Sequence, residues 1–300
     1  MDELFVDIIK SGLGCRIDDF IYSILGYADD LTLISPTCEG LQKMINMVEK
    51  YCKDKGLKIS VDPNPQKSKT KCLAFNRKQI PLNLKVYEVD IPWVKAASHL
   101  GHVINSDEDT SHDIIMKRGA FISKVHALRQ ELGDQDPSVF MNLIHIYTSS
   151  FYGSNLWDLD SDSAIKLYSA WNRTIRFTYD IPINTHRYIL QILFNKADLK
   201  TILVKRFVNF NTQLLNCGKA EVLKLVRCQS RDQRSTYGKN CSLLRKFTGE
   251  LSEPFQTPVG NEWREGPLKE LLSVRQQPPY MIPGLNKAEC DDILTDICAN

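Results

Sequence analysis

Residues 26–31, with the sequence Gly-Tyr-Ala-Asp-Asp-Leu, are the stretch on which the predicted fold of the chain depends. Apolar runs flank this stretch at residues 20–25 and 31–34, and short runs rich in aromatic and branched residues are typical of buried strands. The sequence therefore predicts a β-hairpin with two adjacent carboxylates at its turn. Paired carboxylates can hold divalent metal for phosphoryl transfer, whereas an isolated Asp-Asp turn is more often an ordinary surface turn.

The composition indicates a globular intracellular protein. The 300 residues are 43% hydrophobic and 25% charged, which is enough for a sizeable core and, at this length, for two domains. The formal net charge of +2 neither requires nor excludes a nucleic-acid partner. Nine cysteines without a C-x-x-C pair predict free thiols in a reducing compartment. An acidic start and the lack of any apolar run of about 18 residues predict no signal peptide and no membrane span, and hence a location in the nucleus or cytoplasm.

The first hundred residues have a mixed helix and strand pattern. An apolar stripe after Ser35-Pro36 predicts a helix that begins there, with Ser35 as its cap, and ends at Gly56. A shorter helix is predicted at residues 2–11. Strands are predicted at residues 15–17, 20–25, 57–61, 71–75 and 82–86, followed by a hairpin of residues 91–94 with residues 99–104.

After Glu108 the pattern changes to helices only. The first predicted helix has an apolar stripe from Ile114 to Leu128, with Lys117, Lys124 and Arg129 on its opposite face. The polar stretch at residues 229–266 predicts a loose linker, and the proline-containing end of the chain predicts little regular structure. The helices are predicted at residues 114–128, 139–152, 164–177, 199–215 and 221–226.

Four sequence blocks, taken in this order, resemble one known family. The blocks are residues 14–33 with the Tyr-Ala-Asp-Asp hairpin, residues 56–59 with the lysine-rich residues 67–75, residues 98–104 with His-Leu-Gly, and residues 152–157 with 171–176. Together they resemble the second half of the palm and the thumb of a reverse transcriptase of the non-LTR (LINE-like) retrotransposon kind, over roughly residues 1–190. Each block alone is common, and it is their order that makes the resemblance specific.

The resemblance implies an α+β fold in three parts. Residues 1–107 would form a partial palm, an antiparallel sheet with a helix, and residues 108–228 a helical thumb and connection region. Residues 229–300 would be a linker and tail of unknown role. The implied activity is RNA-directed DNA polymerase, a nucleotidyltransferase that uses Mg²⁺ or Mn²⁺. The implied partners are an RNA template, a DNA primer and deoxynucleoside triphosphates, with protein partners left open.

The resemblance also assigns roles at the catalytic hairpin. Asp29 and Asp30 would be the catalytic, metal-binding carboxylates, while Tyr27 and Ala28 would lie beneath the primer end and the incoming nucleotide. Lysine side chains from the second block would approach the nucleotide phosphates. The spacing to the following phenylalanine favours Lys69, and Lys67 is the other possible register. A solvated loop explains either lysine equally well.

Two further groups of residues would contact nucleic acid. The primer grip would consist of His99, Leu100 and Gly101, although an ordinary hairpin with a close-packed glycine is an equal alternative for that block alone. The first thumb helix would make non-specific, salt-dependent phosphate contacts. A charged solvent face is the alternative for that helix. The residues assigned to these phosphate contacts are Lys117, Arg118, Lys124 and Arg129.

The chain departs from the family pattern at its N-terminus. The family has an upstream metal-binding Asp on a separate strand and a Gln-Gly segment, and neither is found here. Asp18 and Asp19 lie in the turn of the same predicted hairpin and cannot replace a residue from a neighbouring strand. We therefore expect an N-terminally truncated reverse transcriptase that is inactive as this chain. The alternatives are a non-catalytic nucleic-acid-binding module derived from one, and a metal-binding or scaffold protein unrelated to polymerases.

Overall fold

The computed structural model of the chain describes residues 2–75, 82–133, 135–194 and 197–248. The chain divides into two compact units, and each is described by itself. Unit 1 comprises Met1–His99 and Val103–Asp109, and unit 2 comprises Leu100–His102 and Thr110–Asn300. Helices and small antiparallel sheets are combined, as the predicted α+β class requires. Whether the two units are a palm and a thumb stays a prediction.

Unit 1 contains two helices and the hairpin strands. Among the described residues these strands pair only as β1–β2, β3–β4, β5–β6 and β7–β8, in four two-stranded sheets. The one continuous sheet expected of a palm is therefore not assembled from them. The elements are α1 Asp2–Lys10, β1 Cys15–Ile17, β2 Phe20–Tyr22, β3 Ile24–Tyr27, β4 Asp30–Leu33, α2 Cys38–Asp54, β5 Lys85–Val86, β6 Val89–Asp90, β7 Ala96–His99 and β8 His102–Asn105.

Helix α2 organises the core of unit 1 through its predicted apolar stripe. Met44 and Val48 pack with Leu4 and Ile8 of α1 in one buried cluster. Ile45, on the neighbouring side of the helix, belongs to a second cluster with Cys72, Leu84, Val86 and Ile91. Fully burying a side chain of this size contributes roughly 1.5–3 kcal/mol. Helix α2 is therefore the element that buries apolar side chains of both clusters.

The predicted start of α2 is wrong by two residues. The helix begins at Cys38, and its cap is Thr37, whose hydroxyl oxygen accepts a hydrogen bond from the Gly40 N–H at 3.1 Å. Ser35 is engaged elsewhere, because its hydroxyl donates to the Leu13 carbonyl at 2.9 Å. Its hydroxyl oxygen also accepts from the Thr37 N–H at 3.4 Å, so Ser35 shapes the turn that precedes the helix while Thr37 is the cap.

Several predicted strands are also absent or shorter. Residues 57–61 and 71–75 form no strand, apart from an isolated bridge between Cys72 and Trp93. The strand predicted at residues 82–86 is reduced to β5. The hairpin predicted between residues 91–94 and 99–104 forms instead between β7 and β8. Between the first two of these stretches the chain forms a loop, in which the side chains of Asp62 and Asn64 accept hydrogen bonds from the N–H groups of Asn64 and Gln66.

In its described residues unit 2 is helical, and the helices surround one apolar cluster. Trp157, Trp171, Phe121 and Phe207 are its largest fully buried side chains. All five helices predicted in this region are present, and two more are added, α6 and α9. The helices are α3 Ser111–Leu132, α4 Pro137–Thr148, α5 Asp162–Thr178, α6 Arg187–Phe194, α7 Leu199–Asn216, α8 Ala220–Arg231 and α9 Thr236–Thr248.

The loose linker predicted from residue 229 is wrong as far as residue 248. Helices α8 and α9 occupy most of this stretch, and Cys241, Leu243 and Leu244 of α9 belong to the core cluster. The polar composition suggested an exposed linker, but one of its polar residues, Asn240, is buried in the core. Its side-chain amide donates to the Trp157 carbonyl at 2.7 Å and accepts from the Leu159 N–H at 3.1 Å. The remainder of the predicted linker and the proline-containing tail lie outside the described residues.

The structure describes no helix in its part of the chain that could cross a membrane. None of its helices combines the length and the apolar character that a membrane span requires.

Replacement of Asn240 tests the packing of α9. We expect Asn240→Ala to lower the free energy of unfolding by about 2–4 kcal/mol, because a buried carbonyl and a buried N–H would both lose their partner. Urea unfolding followed by circular dichroism measures the change. Asn216→Ala, at an exposed position of α7, is the matched control and should change the free energy by less than about 0.5 kcal/mol. Equal, small effects of both variants would contradict the packed α9.

Candidate functional site

The hairpin of β3 and β4 presents the acidic pair at its tip. Tyr27 pairs with Asp30 in the antiparallel register, so Ala28 and Asp29 form a two-residue loop. Ala28 has a φ of 53°, and a positive φ at the first loop position is the pattern of a type II′ turn, which normally uses glycine. A left-handed backbone costs an alanine roughly 1–2 kcal/mol. The tip is therefore a strained turn that ends in two adjacent carboxylates.

The base of this hairpin is anchored, whereas its tip is open to solvent. Ile24 is buried in the cluster that includes α1, and a Cβ atom at Gly26 would lie 2.5 Å from the Phe5 ring. Beyond that close approach Tyr27 is 68% exposed, and both aspartates are exposed. The two residues assigned beneath the primer end thus lie on the accessible part of the hairpin.

The acidic tip fits the ligand set that Mg²⁺ prefers. Mg²⁺ is usually bound by one or two carboxylates, with water and substrate phosphates completing its coordination. Asp29 and Asp30 supply two exposed carboxylates. No group of three or more His, Cys, Asp or Glu residues arranged to hold a metal occurs within the described ranges. A metal at this tip would therefore depend on non-protein ligands for most of its coordination.

Two of the predicted site blocks are joined directly within unit 1. Thr32 of β4 and His99 at the end of β7 form a side-chain hydrogen bond, with 3.3 Å between Oγ1 and Nε2. The two residues are 67 positions apart in the chain. The strand that carries the acidic pair and the first residue assigned to the primer grip are thus brought together.

The other two primer-grip residues form a tight turn. Leu100 and Gly101 have φ values of 47° and 78°, and positive φ at both central residues is the pattern of a type I′ turn. A bulky residue such as leucine is a genuine outlier in this conformation. The Gly101 carbonyl accepts a hydrogen bond from Lys117 Nζ at 3.1 Å, which holds the strained turn from one side.

Lys117 is engaged within unit 2 at all three of its N–H donors. Besides Gly101 it donates to the Tyr152 carbonyl at 2.7 Å and to Asp113 Oδ2 at 3.1 Å. The Asp113 carboxylate is buried and also accepts from Trp157 Nε1 at 2.7 Å. Because an ammonium group has three donors, Lys117 has none left for a phosphate in this arrangement. Its predicted phosphate contact would require the group to leave these partners.

The remaining basic residues of α3 differ in exposure. Arg118 is half-buried, whereas Lys124 and Arg129 are exposed, and the Arg129 guanidinium lies 4.0 Å from the centre of the Phe177 ring. At about 100° per residue, the four basic positions flank the buried stripe on both sides. The expectation that Lys117, Lys124 and Arg129 lie opposite the stripe is therefore wrong. The exposed residues of the helix also include large apolar ones, namely Ile115, Met116 and Ile122.

The lysine block forms an irregular loop rather than a strand. Lys67 and Lys69 are exposed and alternate with the buried Ser68. The Ser68 hydroxyl accepts from the Asp62 N–H at 3.2 Å and donates to the Thr70 carbonyl at 2.5 Å. This pair of bonds turns both lysines outward. Among the described residues, no hydrogen bond joins this loop to the acidic hairpin, so their proximity stays a prediction.

Sequence reasoning missed one charged residue with an unusual setting. Arg206 of α7 is half-buried and lines a pocket with residues 150–155. The sequence around it reads as an ordinary helix of mixed polarity, and only the fold reveals that the guanidinium faces a loop from a different part of the chain.

Comparisons with known proteins add no assignment. Neither the models of known protein families, nor the curated proteins, nor the solved structures contain a match to this chain. The resemblance to reverse transcriptases therefore rests on the residues themselves and on their order, and membership of that family is a proposal.

Proposed function

We propose that this chain is reverse transcriptase sequence of the non-LTR retrotransposon kind, with unit 1 carrying the catalytic hairpin of an RNA-directed DNA polymerase. The observation that carries the proposal is the hydrogen bond between Thr32 and His99. It joins two blocks, far apart in sequence, that the proposed active site requires side by side. The exposed, strained tip of the β3–β4 hairpin supports the same proposal, because backbone strain is concentrated at functional sites.

In the proposed reaction the residues of the chain have distinct tasks. Asp29 and Asp30 would hold Mg²⁺ or Mn²⁺, which supplies Lewis-acid stabilisation of the phosphoryl group. The backbone at Ala28 would set the direction of both carboxylates. Lys69 or Lys67 would add positive charge near the triphosphate of the incoming deoxynucleotide. The template would be RNA and the primer DNA.

A second candidate is a nucleic-acid-binding module without catalysis. The observation that favours it is the composition of the acidic tip, since the described residues contribute only two carboxylates there and no third ligand. A two-ion reaction needs a clamp on both the attacking and the leaving oxygens. The two candidates therefore agree on binding a primer–template duplex and differ on the role of Asp29.

A primer-extension assay separates these candidates. We expect the 300-residue chain to bind an RNA–DNA primer–template duplex and to show no Mg²⁺-dependent extension on its own, because two carboxylates do not complete the clamp. Asp29→Asn should leave duplex affinity within about twofold, since the substitution keeps the size of the side chain and removes no phosphate contact. Asp19→Asn, in the exposed turn of the β1–β2 hairpin, is the matched control.

Two results of this assay would change the conclusion. Extension that Asp29→Asn abolishes and Asp19→Asn preserves would show that the chain is a working polymerase and would contradict the expected inactivity. The absence of both extension and duplex binding would refute the proposed function altogether.

The salt dependence of duplex binding tests the thumb-helix assignment. We expect the double variant Lys124→Gln, Arg129→Gln to reduce the slope of log K against log salt by about 2, because each lost phosphate contact removes nearly one released counterion. Fluorescence anisotropy with a labelled duplex at several salt concentrations gives the slope. Lys166→Gln with Lys219→Gln removes the same charge from exposed positions elsewhere in unit 2. Equal slopes for the two double variants would disprove a specific role of α3.

A further inference from the structure

Arg206 carries a positive charge that no carboxylate among the described residues balances. Its guanidinium donates to the carbonyls of Ser149 and Ser150 and to the Ser154 hydroxyl. These partners are all neutral oxygens. Burial lowers the pKa of the guanidinium from its ordinary value, with no opposing contribution from a neighbouring anion. Placing a charge in a half-buried position without a counter-ion is costly, so the site favours an anion that would neutralise it.

The space in front of Arg206 is a pocket of about 300 Å³. This volume is at the lower end of the range for small-molecule sites, about 300–1,000 Å³, and suits a single nucleotide unit rather than a duplex. The guanidinium retains N–H groups that its three oxygen partners do not use, because arginine has five donors. The residues that line the pocket are Ser150, Phe151, Tyr152, Gly153, Ser154, Asn155, Arg206, Phe210 and Gln213.

The lining of the pocket combines polar donors with aromatic rings. Asn155 and Gln213 bring side-chain amides, and Phe210 and Tyr152 bring aromatic surface. Tyr152 is 63% exposed although its ring stacks on His102 at 5.1 Å, which holds it in place. Arginine next to aromatic side chains is the combination that binds single-stranded nucleic acid, by pairing with phosphate and stacking with bases.

We propose that the Arg206 pocket is a binding site for one phosphate-bearing nucleotide unit of single-stranded nucleic acid. Arg206 would bind the phosphate oxygens, and Tyr152 or Phe210 would contact the base. This site goes beyond the proposed polymerase function, since none of these residues has a role in it. A free nucleotide and a nucleotide within a strand offer the same chemistry, and the experiment distinguishes these two sources.

Competition binding with the full chain tests the proposal. The probe is a fluorescein-labelled uridine hexanucleotide, and the competitors are uridine monophosphate, uridine and inorganic phosphate. We expect the hexanucleotide to bind, and uridine monophosphate to compete at least 10-fold better than uridine. Competition by uridine monophosphate at concentrations comparable to the hexanucleotide would identify a free nucleotide as the ligand. Much weaker competition would identify the strand.

Two variants make the assignment specific to this pocket. Gln213→Glu places a carboxylate in the lining while leaving every hydrogen bond of Arg206 intact, and should weaken hexanucleotide binding at least 10-fold. Asn216→Asp adds the same charge at an exposed position of the same helix outside the pocket and should change binding less than twofold. Arg206→Met should also abolish binding, and circular dichroism shows whether it remains folded. If it does not, Gln213→Glu decides.

Three results would overturn the proposal. The first is no binding of the hexanucleotide, and the second is equal binding by Gln213→Glu and Asn216→Asp. The third is equal, pocket-dependent binding of a hexaglutamate peptide, which would make the site one for acidic peptides. Failure of the proposed polymerase function would appear separately, as the absence of primer–template duplex binding, while Gln213→Glu and Asn216→Asp would still differ in hexanucleotide binding.

Discussion

The buried carboxylate of Asp113 is the constraint on which the arrangement of unit 2 depends. It accepts hydrogen bonds from Lys117 and from Trp157 Nε1, and an unpaired carboxylate at this depth would cost several kcal/mol. Lys117 connects Asp113 to two further segments, because the same ammonium group donates hydrogen bonds to the carbonyls of Gly101 and Tyr152. The first turns of α3, the Leu100–Gly101 turn and the segment that begins at Tyr152 are therefore held together by the Asp113–Lys117 ion pair and the hydrogen bonds that its two groups make.

This arrangement explains how a strained turn can persist in unit 2. Leu100 adopts a left-handed backbone that costs a bulky residue energy, and such a turn survives only where its surroundings determine it. The hydrogen bond from Lys117 to the Gly101 carbonyl stabilises the turn in this conformation. Ala28 in unit 1 is a comparable case, because the paired register of β3 and β4 imposes the conformation of its two-residue loop. Leu100 and Ala28 are two of eight described non-glycine residues with positive φ, and both are at positions proposed to approach the primer or the nucleotide.

The sequence was informative where local chemistry decides the structure. Helices with periodic apolar stripes were predicted in the right places, with ends that differ by up to five residues, and the acidic hairpin was predicted with its turn. Prediction failed where a side chain bonds to a distant segment. Ser35 bonds to Leu13 while Thr37 caps α2, and Asn240 is buried by partners about 80 residues away. Lys117 bonds to the carbonyls of Gly101 and Tyr152. No pattern of spacing reveals such partners, because each one exists only after the chain has folded.

At two of the proposed contact sites, hydrogen bonds within the protein satisfy the backbone and leave the charged side chains exposed to solvent. At the lysine loop, Ser68 and the side chains around it satisfy the backbone, so the charges of Lys67 and Lys69 are left to solvent. At the acidic hairpin the strand register does the same for Asp29 and Asp30. Arg206 differs, because its guanidinium helps to satisfy the backbone at the end of α4 and yet keeps an unbalanced charge. A phosphate bound there would compensate a charge that folding has already placed, so its binding requires little further ordering of the protein.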